Sequence, residues 1–350
     1  GLPASLTCIA SPPRGRTTGP WRLECPEEVE WTVEGAVEPF TSPGGQSPQL
    51  GTTRANTLRI LEALAVSDER FRSGAFGDAA ESLGVLAREG ERLSDEGHAV
   101  VSLRHARTLR RTGDRAGSRK LATQASKWGN AHDGLAARAI RAEADVFLAR
   151  LDYDAAPGDG RHIGTAHKLI PQAAAAPDPR SLWECLNTCA LAARGRLIHI
   201  DDRAEQAELH ALAERSYESA LFWLALLQDH YYLRAVCSNR AHHLTTTSAI
   251  GLERGWPEAL DWYRLSHVIE DRFNMSIDTA LDCVFLAELW LGDPANARHI
   301  RSQPVFWIEG HHPGERAFWT RAIELARQEN DPAFEREVRA LMKQCLQEAT

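Results

Sequence analysis

The chain has 350 residues, of which 43% are hydrophobic and 25% are charged, with 25 glycines and 17 prolines. These values are typical of a globular protein and exclude collagen-like repeats and wholesale disorder. The formal net charge of −8 argues against indiscriminate binding to nucleic acid.

Several features predict a soluble, cytoplasmic protein. No stretch approaches the roughly 18 consecutive apolar residues of a transmembrane helix, and the mean hydropathy is −0.36. The N-terminal Gly1-Leu2-Pro3-Ala4 lacks the basic and apolar segments of a signal peptide. The seven cysteines are an odd number scattered along the chain, which favours a reducing compartment over a disulfide framework. We therefore expect no membrane partner.

Residues 1–52 differ from the rest because prolines and glycines interrupt any long helix. Within this arm, Val29, Trp31 and Val33 alternate with polar residues, as in a half-buried strand. Residues 21–23 offer a partner strand, so the arm is predicted to contain a β-hairpin.

Residues 53–350 are predicted to be all-α. Ala99, Leu103 and Ala106 follow one another at steps of four and three, which places them on one helical face. Faces with similar spacing begin at Ala116, Leu135, Leu260, Leu281 and Phe334.

The turns between these predicted helices repeat. Gly77-Asp78 and Gly113-Asp114 are 36 residues apart, and Leu151-Asp152-Tyr153-Asp154 follows about one period later. Near the C-terminus, turns that begin at Gly255, Gly292 and Asn330 are 37 and 38 residues apart. Gly or Asn ends one helix, Asp caps the next, and Pro fits the first turn. A period in the mid-thirties indicates an array of helix-turn-helix units.

The closest matches to a known pattern are Phe71-Arg72-Ser73-Gly74-Ala75-Phe76-Gly77-Asp78-Ala79-Ala80 and Leu291-Gly292-Asp293-Pro294-Ala295, the latter with Ala287 and Ala297. These units resemble tetratricopeptide (TPR) repeats. The resemblance covers residues 53–154 and 250–348, and it implies an α-solenoid. A non-repeating helical bundle is the alternative.

The central residues 155–249 fit the repeat less well. A Gly- and Pro-containing loop at 155–160 and the stretch from Pro171 to Pro179 interrupt the register. The helices near 180–200 and 203–228 are predicted to be longer than standard.

No sequence motif of an enzyme, metal site or cofactor site is present. Cys185 and Cys189 share a helical face, but no second pair completes a tetrahedral set, so we expect them in the core. The adjacent His242 and His243 point about 100° apart on a helix and are expected to be structural or surface residues. We predict a non-enzymatic protein without cofactor or metal.

Two features suggest a binding surface. The basic run at 104–120 contains seven cations and only Asp114 as an acid, although a solvated helix face also explains it. Between Tyr217 and Trp319 lie 15 of the 25 aromatic residues, which fit either an interface or thick inter-helix packing. The predicted partner-binding residues are Arg104, Arg107, Arg111, Trp223, Tyr231, Trp262, Trp307 and Trp319.

The predicted function is protein–protein interaction, as a scaffold or regulatory adaptor that binds a protein or peptide through the solenoid surface. The Ala- and Arg-rich repeats resemble those of bacterial regulatory TPR proteins. Two alternatives stay open: a helical-repeat nucleic-acid binder that uses the basic run, and a regulatory domain that senses a ligand or peptide between residues 180 and 319.

Overall fold

The computed structural model describes residues 50–88, 93–176, 178–273, 280–328 and 332–348. These residues form fourteen α-helices and no β-strand. In chain order the helices are α1 (Leu50–Arg72), α2 (Phe76–Arg88), α3 (Asp95–Arg111), α4 (Arg115–Ala131), α5 (Leu135–Ala155), α6 (Arg161–Ala174), α7 (Arg180–Leu197), α8 (Arg203–Leu227), α9 (His230–Ala249), α10 (Trp256–Arg272), α11 (Ala280–Gly292), α12 (Pro294–Ser302), α13 (Arg316–Gln328) and α14 (Pro332–Glu348).

The described part of the chain is therefore all-α, as the spacing of apolar residues predicts. None of its helices combines the length and apolar character that crossing a bilayer requires. The predicted β-hairpin lies outside the described residues. The helical region begins at Leu50, three residues before the predicted boundary.

Two of the predicted turns are confirmed in atomic detail. Gly113 ends α3 with a φ of +85°, a conformation that glycine adopts without steric cost. Asp114 then caps α4, because its Oδ1 accepts a hydrogen bond from the backbone N–H of Gly117 at 2.8 Å. Asp293 caps α12 in the same way, with Pro294 in the first helical turn.

Other local predictions were wrong. Gly74, with a φ of +83°, makes the first turn, whereas Gly77 lies inside α2. The helix begins early because Phe76 packs edge-on against Phe71, with ring centroids 5.2 Å apart. Residues 151–154 belong to α5 rather than to a turn.

The central helices have the predicted lengths. α7 has 18 residues and α8 has 25, so the pair spans residues 180–227 almost without interruption. Asp202 caps α8 by accepting hydrogen bonds from the N–H groups of Ala204 and Glu205. Because α8 is the longest described helix, the hairpin that it forms with α7 departs from the standard repeat length.

From α2 to α12, each helix packs against the next along the chain, and α13 packs against α14. From α3 to α11, every odd-numbered helix also packs against the next odd-numbered helix, which extends this row to α13. The odd-numbered helices from α3 to α13 therefore form a continuous layer. The even-numbered helices pack against this layer.

Most of the aromatic residues of the C-terminal half lie in the core. Tyr217, Tyr263, Trp290, Phe318 and Trp319 are fully buried, so thick inter-helix packing explains most of the crowding that the sequence shows. Two residues that the sequence places on buried helix faces are exposed in the structure. Leu135 is 64% exposed and Leu265 is 42% exposed, because their helices turn neighbouring residues inward instead.

Candidate ligand-binding groove

A groove runs along the layer of odd-numbered helices. It encloses about 900 Å³ of empty space, including its open mouth, and every residue that lines it belongs to α1, α3, α5, α7, α9 or α11. Its aromatic lining consists of Phe71, Phe147, Trp183, Tyr231, Tyr232 and Phe285. The lining thus combines aromatic rings with the polar side chains of arginine, asparagine and acidic residues.

Contacts between distant helices close the groove on one side. Phe71 on α1 meets Tyr231 on α9, with ring centroids 5.4 Å apart. Arg107 on α3 donates a hydrogen bond from Nη1 to the hydroxyl of Tyr232 on α9 at 3.4 Å. The first two helical hairpins therefore contact the fifth at this side of the groove.

Arg107 is the central polar residue of the groove wall, with 7% of its surface exposed. Its Nη2 lies 2.6 Å from Glu184 Oε2 on α7 and 3.2 Å from Glu143 Oε1 on α5. Burial alone would lower the pKa of Arg107, but the two carboxylates raise it well above its ordinary value. This charged group therefore ties α3, α5 and α7 together.

At the end of the groove formed by α3 and α5, cations outnumber acids. Arg110 Nε lies 2.5 Å from Asp154 Oδ2, and Arg150 Nε lies 2.9 Å from Asp154 Oδ1. Burial would raise the pKa of Asp154, but the two guanidinium groups lower it far below its ordinary value. The neighbouring Arg111 stacks over the ring of Phe76 at 4.6 Å and has no ion pair within the described part of the chain.

Two amide side chains lie in the middle of the groove. Asn239 on α9 donates a hydrogen bond from Nδ2 to Asn187 Oδ1 on α7 at 3.2 Å. This leaves the Asn187 amide N–H groups and Asn239 Oδ1 without a partner among the described residues. An unpaired donor beside an unpaired acceptor matches the hydrogen-bonding pattern of a peptide backbone.

The far end of the groove is polar as well. Arg234 on α9 lies 3.6 Å from Glu270 and 3.8 Å from Asp282. The buried Nε atom of Arg234 and the buried indole nitrogen of Trp183 have no hydrogen-bond acceptor in the described residues. Both of these groups are donors, so any polar partner that they take must supply an acceptor.

A separate polar network joins α8 to α9 outside the groove lining. His210 Nδ1 and His243 Nε2 are 2.9 Å apart, and Glu214 lies 3.8 Å from His243 and 2.5 Å from Arg240. Burial lowers the pKa of His243 well below its ordinary value, so the ring is neutral near pH 7. In the described residues, no group of three or more His, Cys, Asp or Glu side chains is arranged to hold a metal ion.

The described cysteines are buried. Cys185 and Cys189 are buried, as predicted. Burial raises the pKa of Cys185 to about 12 and that of Cys237 to about 12 as well. These thiols are therefore protonated at neutral pH, which does not suit a nucleophile.

The structure brings part of the predicted binding set together. Arg107, Arg111 and Tyr231 line the groove, and Arg104 lines a smaller adjoining cavity together with Arg107 and Tyr231. Arg104 lies 3.7 Å from Asp68, so it is partly neutralised. Four of the eight predicted residues thus line the groove or the adjoining cavity.

The four predicted tryptophans lie elsewhere. Trp223 and Trp262 are half-buried on α8 and α10, where the guanidinium of Arg240 stacks over Trp262 at 4.5 Å. Trp307 is also half-buried, and its indole nitrogen donates a hydrogen bond to the backbone carbonyl of Ile300 in α12. Trp319 has no exposed surface, so the structure removes it from the predicted binding surface.

Sequence reasoning missed most of the groove. Trp183, Asn187 and Arg234 lie on helices that the sequence predicts, but nothing in a single helix shows which of its faces lines a space shared by six helices. The available signal is a polar residue on an otherwise apolar helix face, as at Glu184 and Asn187 in α7.

Comparison of the sequence with models of known protein families and with curated proteins finds no match.

Proposed function

We propose that the chain is a non-enzymatic binding protein built as a TPR-like solenoid, and that it holds a peptide segment of a partner protein in the groove. The solenoid is supported by the helical hairpins, by the turns at Gly113-Asp114 and Asp293-Pro294 and by the continuous row of odd-numbered helices. In such an array one helix of each hairpin faces the same side.

The observation that carries the proposal is the composition of the groove. Residues from six odd-numbered helices line it, and they combine aromatic rings with amide and guanidinium groups. Aromatic and arginine side chains dominate the energetics of protein interfaces. The unpaired groups of Asn187 and Asn239 suit an extended backbone, because each peptide unit offers one donor and one acceptor.

A peptide fits the groove better than a nucleic acid does. Most of the basic run is neutralised within the fold: Arg107 pairs with Glu184, and Arg119 pairs with Asp152. Binding of a nucleic acid needs several free cations to replace the counterions of the phosphates. Retention on heparin at low salt, lost when Arg115 and Lys120 are replaced by Gln, would instead support the nucleic-acid alternative.

The test is a selection of random heptapeptides on the immobilised chain, followed by fluorescence anisotropy with the recovered peptides. We expect Asn239→Ala to weaken their binding about tenfold, since losing a backbone hydrogen bond in a desolvated site costs roughly 1–2 kcal/mol. The matched control is Asn130→Ala, because Asn130 is an exposed residue of α4 outside the groove. Recovery of no peptide that depends on Asn239 would refute the proposal.

A further inference from the structure

At one end of the groove, the side chains carry more positive than negative charge. At the α3–α5 end, Arg110, Arg111 and Arg150 line the groove, and Asp154 is the carboxylate that the described residues place between Arg110 and Arg150. Three guanidinium groups beside one carboxylate leave a local excess of positive charge. The following argument rests on the proposed function, that the groove holds a peptide.

These cations are held in place before any ligand binds. Arg150 stacks over the ring of Tyr153 at 5.6 Å, and Arg111 stacks over Phe76 at 4.6 Å. Phe76 in turn packs on Phe71, a residue of the groove lining. Each guanidinium has five N–H donors in a fixed plane, so sharing Asp154 leaves donors on Arg110 and Arg150 for a second carboxylate.

We propose that the groove selects an acidic peptide, and that a carboxylate of this peptide docks on Arg110, Arg111 and Arg150. The carboxylate accepts hydrogen bonds from the guanidinium groups in the two-pronged geometry that arginine favours. The adjoining part of the peptide then lies against the aromatic lining. The carboxylate belongs either to an Asp or Glu side chain or to the C-terminus of the peptide.

The charge balance favours one carboxylate over a chain of phosphates. The groove wall also carries Glu184 and Asp282, which repel an extended polyanion. The excess at the α3–α5 end amounts to about two charges, which is enough to hold one carboxylate through several hydrogen bonds. A nucleic acid spanning the groove would place further phosphates against the acidic part of the wall.

The experiment selects random heptapeptides on the full chain in two display formats, one with the C-terminus fused to the carrier and one with a free C-terminal carboxylate. It is repeated on Arg111→Gln and on the control Arg119→Gln. Arg119 is an exposed arginine of α4 outside the groove, so both variants remove one positive charge. Arg111 is also exposed and has no ion pair in the described residues, so its replacement leaves no carboxylate unpaired.

We expect Asp and Glu to be enriched in the fused format if a side chain supplies the carboxylate. If the terminus supplies it, amidation is expected to weaken binding about tenfold, the effect of one charge-assisted hydrogen bond. In either case Arg111→Gln weakens binding about tenfold and Arg119→Gln leaves it unchanged. Either pattern supports the proposal.

Three results would overturn it, and they are distinguishable. Peptides that depend on Asn239 but carry no essential carboxylate, and bind Arg111→Gln normally, would refute the acidic peptide while retaining the proposed function. Failure to recover any peptide that depends on Asn239 would refute both. Asn239-dependent binding of a 20-nucleotide poly(dT) strand, used as the polyanion probe, in place of any peptide would assign the groove to nucleic acid.

Discussion

Replacing Arg107 by Met removes the charged group that joins α3 to α5 and α7. Arg107 and Glu184 are 2.6 Å apart, with side chains only 8% and 10% exposed. Removing one partner of a buried ion pair leaves the other charge without compensation, which costs about 3–5 kcal/mol. Because folded domains are typically stable by about 5–15 kcal/mol, this single substitution is expected to remove a large part of the free energy of unfolding.

The chain contains a matched control for this measurement. Arg119 and Asp152 are also 2.6 Å apart, but their side chains are 46% and 47% exposed. Loss of an exposed pair costs about 0–1 kcal/mol, because water and salt screen it. Urea unfolding followed by far-UV circular dichroism should therefore show a much larger loss of stability for Arg107→Met than for Arg119→Met.

A double variant separates the unpaired charge from the lost packing. Arg107→Met leaves Glu184 and Glu143 without this cation, and adding Glu184→Gln removes the more buried of these two carboxylates. The double variant is therefore expected to be more stable than Arg107→Met alone. Equal losses for Arg107→Met and Arg119→Met would refute the reasoning, since burial would then make no difference. A double variant less stable than either single one would also contradict it.

Two further predictions concern a glycine and the buried histidines. A Cβ atom on Gly195 in α7 would lie 2.3 Å from the carbonyl oxygen of Pro157, so Gly195→Ala should destabilise the protein by about 1–3 kcal/mol. Gly164→Ala in α6, where a Cβ meets no atom within 4 Å, should instead stabilise it by up to about 1 kcal/mol; thermal unfolding that shows the same sign for both would contradict this. Burial lowers the pKa of His242 to about 4 and that of His267 to about 4, so the unfolded chain binds protons at these sites before the folded chain does. Stability should therefore fall as the pH drops from about 6.5 to about 4, by up to about 3 kcal/mol for His242, and His242→Gln should flatten this part of the urea-measured profile.

Helix-forming patterns in the sequence predict the all-α architecture because they depend on local spacing and local turn chemistry. The turn at Gly113-Asp114 needs only a residue that tolerates positive φ and a side chain that caps the next helix. Residues 151–154 resemble such a turn equally well, yet they remain helical. Asp154 there pairs with arginines of α3 and α5, and the partner on α3 is invisible to a local pattern.

The groove is harder to predict because its residues come together only when six helices pack. Tyr231 and Phe71 are in contact although 160 positions separate them in the sequence. The basic run at 104–120 likewise suggests one cationic face in the sequence, but its arginines lie in different surroundings in the fold. Arg107 faces acids of α5 and α7, and Arg119 lies on α4, where it pairs with Asp152. The periodicity of a sequence shows which residues share a helix face, but only the packing of the helices shows which residues that face contacts.

The pairing of charges in the fold also explains how a chain of net charge −8 keeps an arginine-lined groove. Arg107 and Arg234 are each matched by two carboxylates, so they stabilise the wall without adding net charge to the groove. Arg110 and Arg150 share the single carboxylate of Asp154, and Arg111 has no ion pair within the described residues. The arginines that remain available for a ligand are therefore those at the α3–α5 end. A ligand with one carboxylate at this position complements the groove, whereas a ligand with many charges would have to displace the acids that hold the wall together.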